Sequence, residues 1–321
     1  MEKKKVFVTR EILPEGIELL KKHFDVDLWT DYAPPSKDII KEHIKDADAI
    51  LTMLSDKMDA EVINSATKLK VISQLAVGYD NIDLNAAKAR GIWVTNTPDV
   101  LTDASADFSF AQMLAISRRV VEADKYVRAG KWKVGWHPSM MLGGVLRGAT
   151  LGIIGAGRIG QAMARRGKGL DMKILYYNRS AKPEFERECN AKKVDLDSLL
   201  SESDYVSLHV PLNNETKNLI NSEKLGLMKA TAYLINNSRG PVVDEKALYD
   251  ALKNHKIAGA ALDVFNVEPT PVDNPLLELD NVIVAPHISS ANIYARTKMS
   301  IMTAEDIIAV LSGEKPKNVV I

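Results

Sequence analysis

Gly155-Ala156-Gly157-Arg158-Ile159-Gly160 follows directly on the apolar run Ala149-Thr150-Leu151-Gly152-Ile153-Ile154 and leads into Gln161-Ala162-Met163-Ala164-Arg165-Arg166. A strand, a glycine-rich turn and a helix in that order can close on one another in few ways. The first glycine permits the tight turn, the second lets the backbone approach an anion, and the third lets helix pack on strand. The helix N-terminus then presents its amides to phosphate. The pattern predicts a βα unit that binds a dinucleotide pyrophosphate through Gly155, Gly157, Arg158, Ile159 and Gly160.

Around this unit, short β-branched runs alternate with helical patterns. Val6-Phe7-Val8, Ala49-Ile50-Leu51, Val71-Ile72-Ser73-Gln74-Leu75 and Trp93-Val94-Thr95 read as strands, with helices over 16–23 and 59–65 between them. A long helix is expected over 103–119, followed by strands at 151–154, 173–177, 205–208, 232–235, 259–262 and 282–284. Alternation of this kind specifies parallel sheets covered by helices. Residues from about 290 to 311 read as one helix that packs back on the N-terminal half. The expected fold is therefore α/β, with two doubly wound parallel-sheet domains. A Rossmann cofactor domain (99–289) is inserted in a flavodoxin-like substrate domain made of 1–98 and the returning 290–321.

The 321 residues exceed one typical domain. The 42 Lys and Arg balance the 42 Asp and Glu, so no global charge points to nucleic acid or a membrane surface. The single cysteine, Cys189 in a polar stretch, excludes an intrachain disulfide and a cysteine metal cluster, and fits a cytoplasmic protein. The start of the chain has charge but no apolar signal core, and no segment has transmembrane length.

The strand at 173–177 ends in Asn178-Arg179-Ser180. A carboxylate at this distance from the glycines would bind ribose hydroxyls and repel a 2′-phosphate. Here an amide, a cation and a hydroxyl stand instead, and Arg179 and Ser180 can donate to phosphate. NADPH is therefore expected in preference to NADH. Three further strand ends carry polar residues where open sheets bind ligands. They are Ile235-Asn236-Asn237-Ser238-Arg239-Gly240, Ala261-Leu262-Asp263-Val264-Phe265-Asn266-Val267-Glu268-Pro269 and Ala285-Pro286-His287-Ile288. Together they supply a cation for a carboxylate, a carboxylate to partner an imidazole, and an imidazole that can donate a proton. Of the other histidines, His23, His43 and His255 read as surface residues, His209 as lining of the cofactor edge, and His137 as a neighbour of Trp136. Their spacing suggests no metal site.

These motifs, with Ala76-Val77-Gly78-Tyr79-Asp80-Asn81-Ile82-Asp83, Leu54-Ser55-Asp56 and Gly135-Trp136, resemble those of the D-2-hydroxyacid dehydrogenases over essentially the whole chain. Within that family the chain looks most like the glyoxylate/hydroxypyruvate reductases. The resemblance implies reduction of a small 2-oxoacid, with Arg239 on the substrate carboxylate, His287 as proton donor and Glu268 holding the imidazole. It implies substrate contacts from Leu54 and the backbone of Val77 and Gly78. Pro211, Thr216, Ser238 and Gly240 would lie along the cofactor, and Asp263 would face the nicotinamide side. It also implies a homodimer in which Trp136 reaches the neighbouring subunit. A D-lactate or phosphoglycerate dehydrogenase, or a dinucleotide-sensing protein of the corepressor type, are the alternatives on the same fold.

Overall fold

The computed structural model describes residues 3–321, which form two compact units. One comprises the chain up to Leu101 together with Ser290–Ile321, and the other is Thr102–Ser289. The first runs β1 (Lys5–Val8), α1 (Pro14–His23), β2 (Asp25–Leu28), α2 (Lys37–Ile44), β3 (Ala49–Thr52), α3 (Ala60–Ser65), β4 (Val71–Gln74), α4 (Leu84–Ala89) and β5 (Trp93–Thr95). The second opens with α5 (Thr102–Ser117) and α6 (Val120–Arg128). It continues through β6 (Thr150–Ile154), α7 (Arg158–Gly169), β7 (Lys173–Tyr177), α8 (Pro183–Cys189), β8 (Lys192–Lys193) and α9 (Leu196–Glu202). It closes with β9 (Tyr205–Leu208), α10 (Ser222–Leu227), β10 (Tyr233–Asn236), α11 (Glu245–Lys253), β11 (Gly259–Leu262) and β12 (Val282–Val284). The chain then returns to the first unit as α12 (Ile293–Leu311).

The first unit has a five-stranded sheet in the order β2-β1-β3-β4-β5, parallel throughout, which is the flavodoxin-like order. Helix α12 packs along α1, where a Cβ on Gly16 would lie 2.5 Å from the Ser300 carbonyl oxygen. Ser73 on β4 donates to the Thr303 carbonyl at 3.2 Å. The second unit has seven parallel strands ordered β12-β11-β10-β9-β6-β7-β8, a Rossmann sheet extended by one strand.

Side-chain alternation explains why this second sheet is covered on both faces. Leu175 on β7, Val206 on β9 and Leu234 on β10 belong to one buried cluster. Their chain neighbours Tyr176, Tyr205 and Ile235 belong to another, with Met113 of α5 and Met163 of α7.

Several boundaries differ from the sequence reading, each for a local reason. Asp59 and Asn292 lie outside α3 and α12 because their side chains cap them, accepting from Val62 N at 3.1 Å and Ala295 N at 2.7 Å. The helix expected over 103–119 stops at Ser117, since Arg119 turns to φ +54° and starts α6. Cys189, within a polar stretch of sequence, is buried in a cluster with Ile174, Tyr176 and Phe185, and burial pushes its thiol up from the ordinary value. His43 is half-buried, stacked on Phe7 and 2.7 Å from Asp27. Among the described residues, no helix is long and apolar enough to cross a membrane.

Candidate active site

The glycine turn lies where the strand order reverses, between β6 and β9, the position at which open α/β sheets bind ligands. Gly155 has φ +96°, and a Cβ there would lie 2.6 Å from the His209 carbonyl oxygen. At Gly160 a Cβ would lie 2.1 Å from the Gly155 carbonyl oxygen, so only glycine lets α7 sit this close to the turn. Gly157 differs: an added Cβ would meet nothing within 4 Å. Gly157 is the N-cap of α7, and no side chain caps that helix. Arg158 and Ile159 begin its first turn. An open cradle ahead of an uncapped twelve-residue helix fits a dinucleotide pyrophosphate.

The loop after β9 is folded on itself, with Thr216 Oγ1 donating to the Pro211 carbonyl at 2.6 Å. At the end of β7, Asn178 Nδ2 donates to the Ser180 carbonyl at 2.9 Å, closing a turn that leaves Arg179 and Ser180 exposed. Arg179 lies 3.4 Å from Glu215, with both side chains mostly in solvent.

Arg239, Glu268 and His287 follow β10, β11 and β12, three strands adjacent in the sheet. Asn236 shapes the first segment, accepting from Ser238 Oγ at 2.9 Å and donating to the Arg239 carbonyl at 3.0 Å. A Cβ on Gly240 would lie 2.0 Å from the Phe265 carbonyl carbon, so the missing side chain lets the Arg239 segment meet the Phe265 segment. Glu268 then spans the rest of the distance. Its Oε1 accepts from Phe265 N at 3.0 Å and its Oε2 lies 2.7 Å from His287 Nδ1. Burial opposes ionisation of Glu268. The hydrogen bond and charge of His287, the Phe265 amide and the Arg239 charge outweigh it and hold the carboxyl below its ordinary value.

His287 itself sits at φ +54°, a region that non-glycine residues seldom occupy. Asp263 holds it there. The Asp263 carbonyl accepts from His287 N at 2.9 Å, and its carboxylate accepts from Ile288 N and Ser289 N, both at 2.8 Å. The sequence resemblance sets Asp263 beside the nicotinamide, yet its side chain has no exposed surface and both oxygens are engaged by the loop. Its hydrogen bonds run to the backbone of the segment that carries His287. Burial pushes the Asp263 carboxyl up, against those two amides and the His287 charge.

His209 contrasts with His287. The protein packed around its ring lowers its pKa to about 4, and its Nε2 lies 2.9 Å from Ser207 Oγ. A ring kept neutral near pH 7 lines a site but is a poor proton donor there.

In the first unit, Leu54, Val77 and Gly78 lie in the segments after β3 and β4. Asp56 and Asn81, which the sequence motifs contain without a role for either, shape these segments together with Gln74. Asn81 Nδ2 donates to the Met53 and Asp56 carbonyls at 3.0 and 2.8 Å, and Gln74 Nε2 donates to Asn81 Oδ1 at 2.8 Å and the Gly78 carbonyl at 3.2 Å. Asp56 is buried and accepts from Thr9 Oγ1 at 2.5 Å, Thr52 Oγ1 at 3.0 Å and Met53 N at 2.7 Å. A buried carboxylate with this many donors sets the path of the Leu54 turn.

The pattern of the D-isomer specific 2-hydroxyacid dehydrogenase NAD binding domain matches residues 110–289. The glyoxylate reductase of Korarchaeum cryptofilum is 57% identical over 318 residues, covering 99% of this chain and 96% of that one. A Thermus thermophilus crystal structure superposes with a TM-score of 0.93 at 42% identity, covering 99% of this chain and 100% of that one. The NADPH-dependent glyoxylate/hydroxypyruvate reductase of Sinorhizobium meliloti, solved with NADP and malonate, superposes at 0.89 with 31% identity, covering 99% and 97%. This chain, with its nucleotide cradle and its imidazole–carboxylate pair on one sheet edge, belongs to the D-2-hydroxyacid dehydrogenase family.

Proposed function

We propose that the protein is an NADPH-dependent reductase of small 2-oxoacids, glyoxylate and hydroxypyruvate foremost, with His287 as proton donor. The observation that carries this reading is the 2.7 Å contact between His287 Nδ1 and an ionised Glu268, beside Arg239. Gly155–Gly160, Pro211, Thr216, Ser238 and Gly240 would hold a nicotinamide dinucleotide, which when bound would supply the hydride. Arg239 binds the substrate carboxylate and polarises the carbonyl. His287 delivers its Nε2 proton to the oxygen as negative charge develops there, while Glu268 steadies the cation. Asp263 keeps the imidazole aimed. In the first unit, Leu54 and the backbone of Val77 and Gly78 are assigned to substrate binding. The names of the similar reductases support the substrate class.

Glu268 Oε2 lies 2.7 Å from His287 Nδ1, and the hydrogen bond and charge of His287 help hold the Glu268 carboxyl below its ordinary value. Reduction needs the protonated ring. Glu268→Gln is therefore expected to move the alkaline fall of the reductive pH profile to lower pH, as read from kcat/KM against pH. An unchanged profile contradicts the pairing.

NADPH is favoured because no carboxylate follows β7 and Arg179 stands exposed on the turn. Arg179→Ala is expected to weaken NADPH binding roughly 10–150-fold and leave NADH nearly untouched, by fluorescence titration of each. An unchanged NADPH/NADH ratio ends the assignment.

A cytoplasmic homodimer completes the proposal. Helix α6 buries none of its residues, and Val127, Trp132, Trp136, Leu142 and Val145 in and after it are each more than half exposed. Apolar surface on this scale calls for a partner, and a second copy is the occupant proposed. Light scattering is expected to give a dimer that Trp132→Glu weakens. A monomer throughout the assay range refutes it.

A further inference from the structure

The cation count at the end of β7 exceeds what the Asn178-Arg179-Ser180 turn supplies. Strand β8 consists of Lys192 and Lys193 alone and lies at the sheet edge against β7, with Lys193 opposite Tyr176. Both lysines are exposed, and among the described residues neither lies within ion-pairing distance of a carboxylate. Lys193 Nζ reaches back over the turn and donates to the Arg179 carbonyl at 3.4 Å. A cavity of about 710 Å³ opens here, lined by Asn178, Arg179, Lys192 and Lys193.

Three acidic groups lie around it. Asp195 caps α9, accepting from Ser198 N at 2.9 Å and Ser198 Oγ at 2.7 Å. Glu215 faces Arg179 from the loop after β9, and Glu202 also lines the cavity. Glu215 engages the Arg179 guanidinium, so a phosphate arriving there must share that cation. Lys193 has no such competitor.

We infer that Lys193 is a second cation for the 2′-phosphate, so that selection of NADPH in this chain comes from the β8 edge as well as from the β7 turn. The inference rests on the proposed NADPH preference and extends it to a residue outside the βα fingerprint. A lysine is suited to the part, because its compact charge on a flexible stem can leave a carbonyl 3.4 Å away for a phosphate oxygen. The contact is exposed, so its strength depends on salt.

The test is titration of the full-length protein with NADPH, NADH and 2′,5′-ADP, comparing wild type, Lys193→Gln, Lys192→Gln and Arg179→Ala at low and high salt. Lys192 lines the same cavity but makes no hydrogen bond to the Asn178-Arg179-Ser180 turn, so Lys192→Gln is the control for charge alone. Lys193→Gln is expected to weaken NADPH and 2′,5′-ADP roughly 3–10-fold at low salt, with less loss at high salt and NADH unchanged. If Arg179→Ala alters the NADPH/NADH ratio and Lys193→Gln does not, the inference falls while the NADPH reading stands. If neither alters it, the NADPH reading falls and takes the inference with it. Equal losses for both cofactors, or an equal effect of Lys192→Gln, also overturn it, because each shows general charge rather than a phosphate contact.

Discussion

Replacing His287 with alanine is expected to lower kcat for 2-oxoacid reduction roughly 10²–10⁴-fold while leaving the NADPH dissociation constant nearly unchanged. The size follows from the loss of a positioned acid at the atom where charge develops. The sparing of cofactor affinity follows from geometry, since the imidazole belongs to the loop after β12 and the pyrophosphate cradle to the turn after β6. No other described histidine is placed to substitute. His209 is held neutral by its surroundings, with a pKa of about 4, and no carboxylate partner is seen for it. His137 lies in the exposed stretch after α6, where its Nδ1 is 2.9 Å from Ser139 Oγ. Near wild-type turnover in His287→Ala, measured by NADPH oxidation under saturating glyoxylate, removes this histidine from the mechanism.

Arg239→Ala is expected to cost roughly 10²–10⁴-fold in kcat/KM, through both a higher KM and a lower kcat. Two contributions combine. A guanidinium that forks onto a substrate carboxylate provides charge-assisted hydrogen bonds in the ground state, and its charge also stabilises the forming alkoxide. Arg239→Lys keeps the charge and loses the fork, so it should recover kcat more than KM. The backbone around the residue is held by Asn236 and by the contact of Gly240 with Phe265, and the guanidinium itself donates to the Ser238 carbonyl at 2.8 Å. A loss confined to the melting temperature, with normal kcat/KM in the folded protein, contradicts the assignment.

The repeating β and α pattern was legible because buried parallel strands read as unbroken apolar runs and the helices between them are punctuated by capping residues. Elements without those signals escaped notice. Strand β2 is Asp25-Val26-Asp27-Leu28, an edge strand with acids at alternate positions and no fully buried residue. Helix α6 has no core-facing side and continues from α5 through a left-handed Arg119. Strand β8 has two residues, both lysine, and only its pairing with β7 identifies it.

The candidate site was legible as residue types at strand ends, but its supports were not. Asp263 stands two residues before Phe265 in sequence, and nothing in that spacing tells that its carboxylate turns inward to bind amides at 288 and 289. The need for glycine at 240 is likewise a tertiary fact, set by the backbone of Phe265. Asn81 stood within a motif that carried the resemblance, and an amide between turn residues could have marked it as a backbone bridge.

The central claim is tested most directly by initial rates of NADPH and NADH oxidation on the purified protein with glyoxylate, hydroxypyruvate and pyruvate side by side. The account predicts turnover of glyoxylate and hydroxypyruvate with higher kcat/KM than pyruvate, and higher rates with NADPH than with NADH at limiting cofactor. No oxidation of either cofactor above the substrate-free rate with any of the three acids would contradict it.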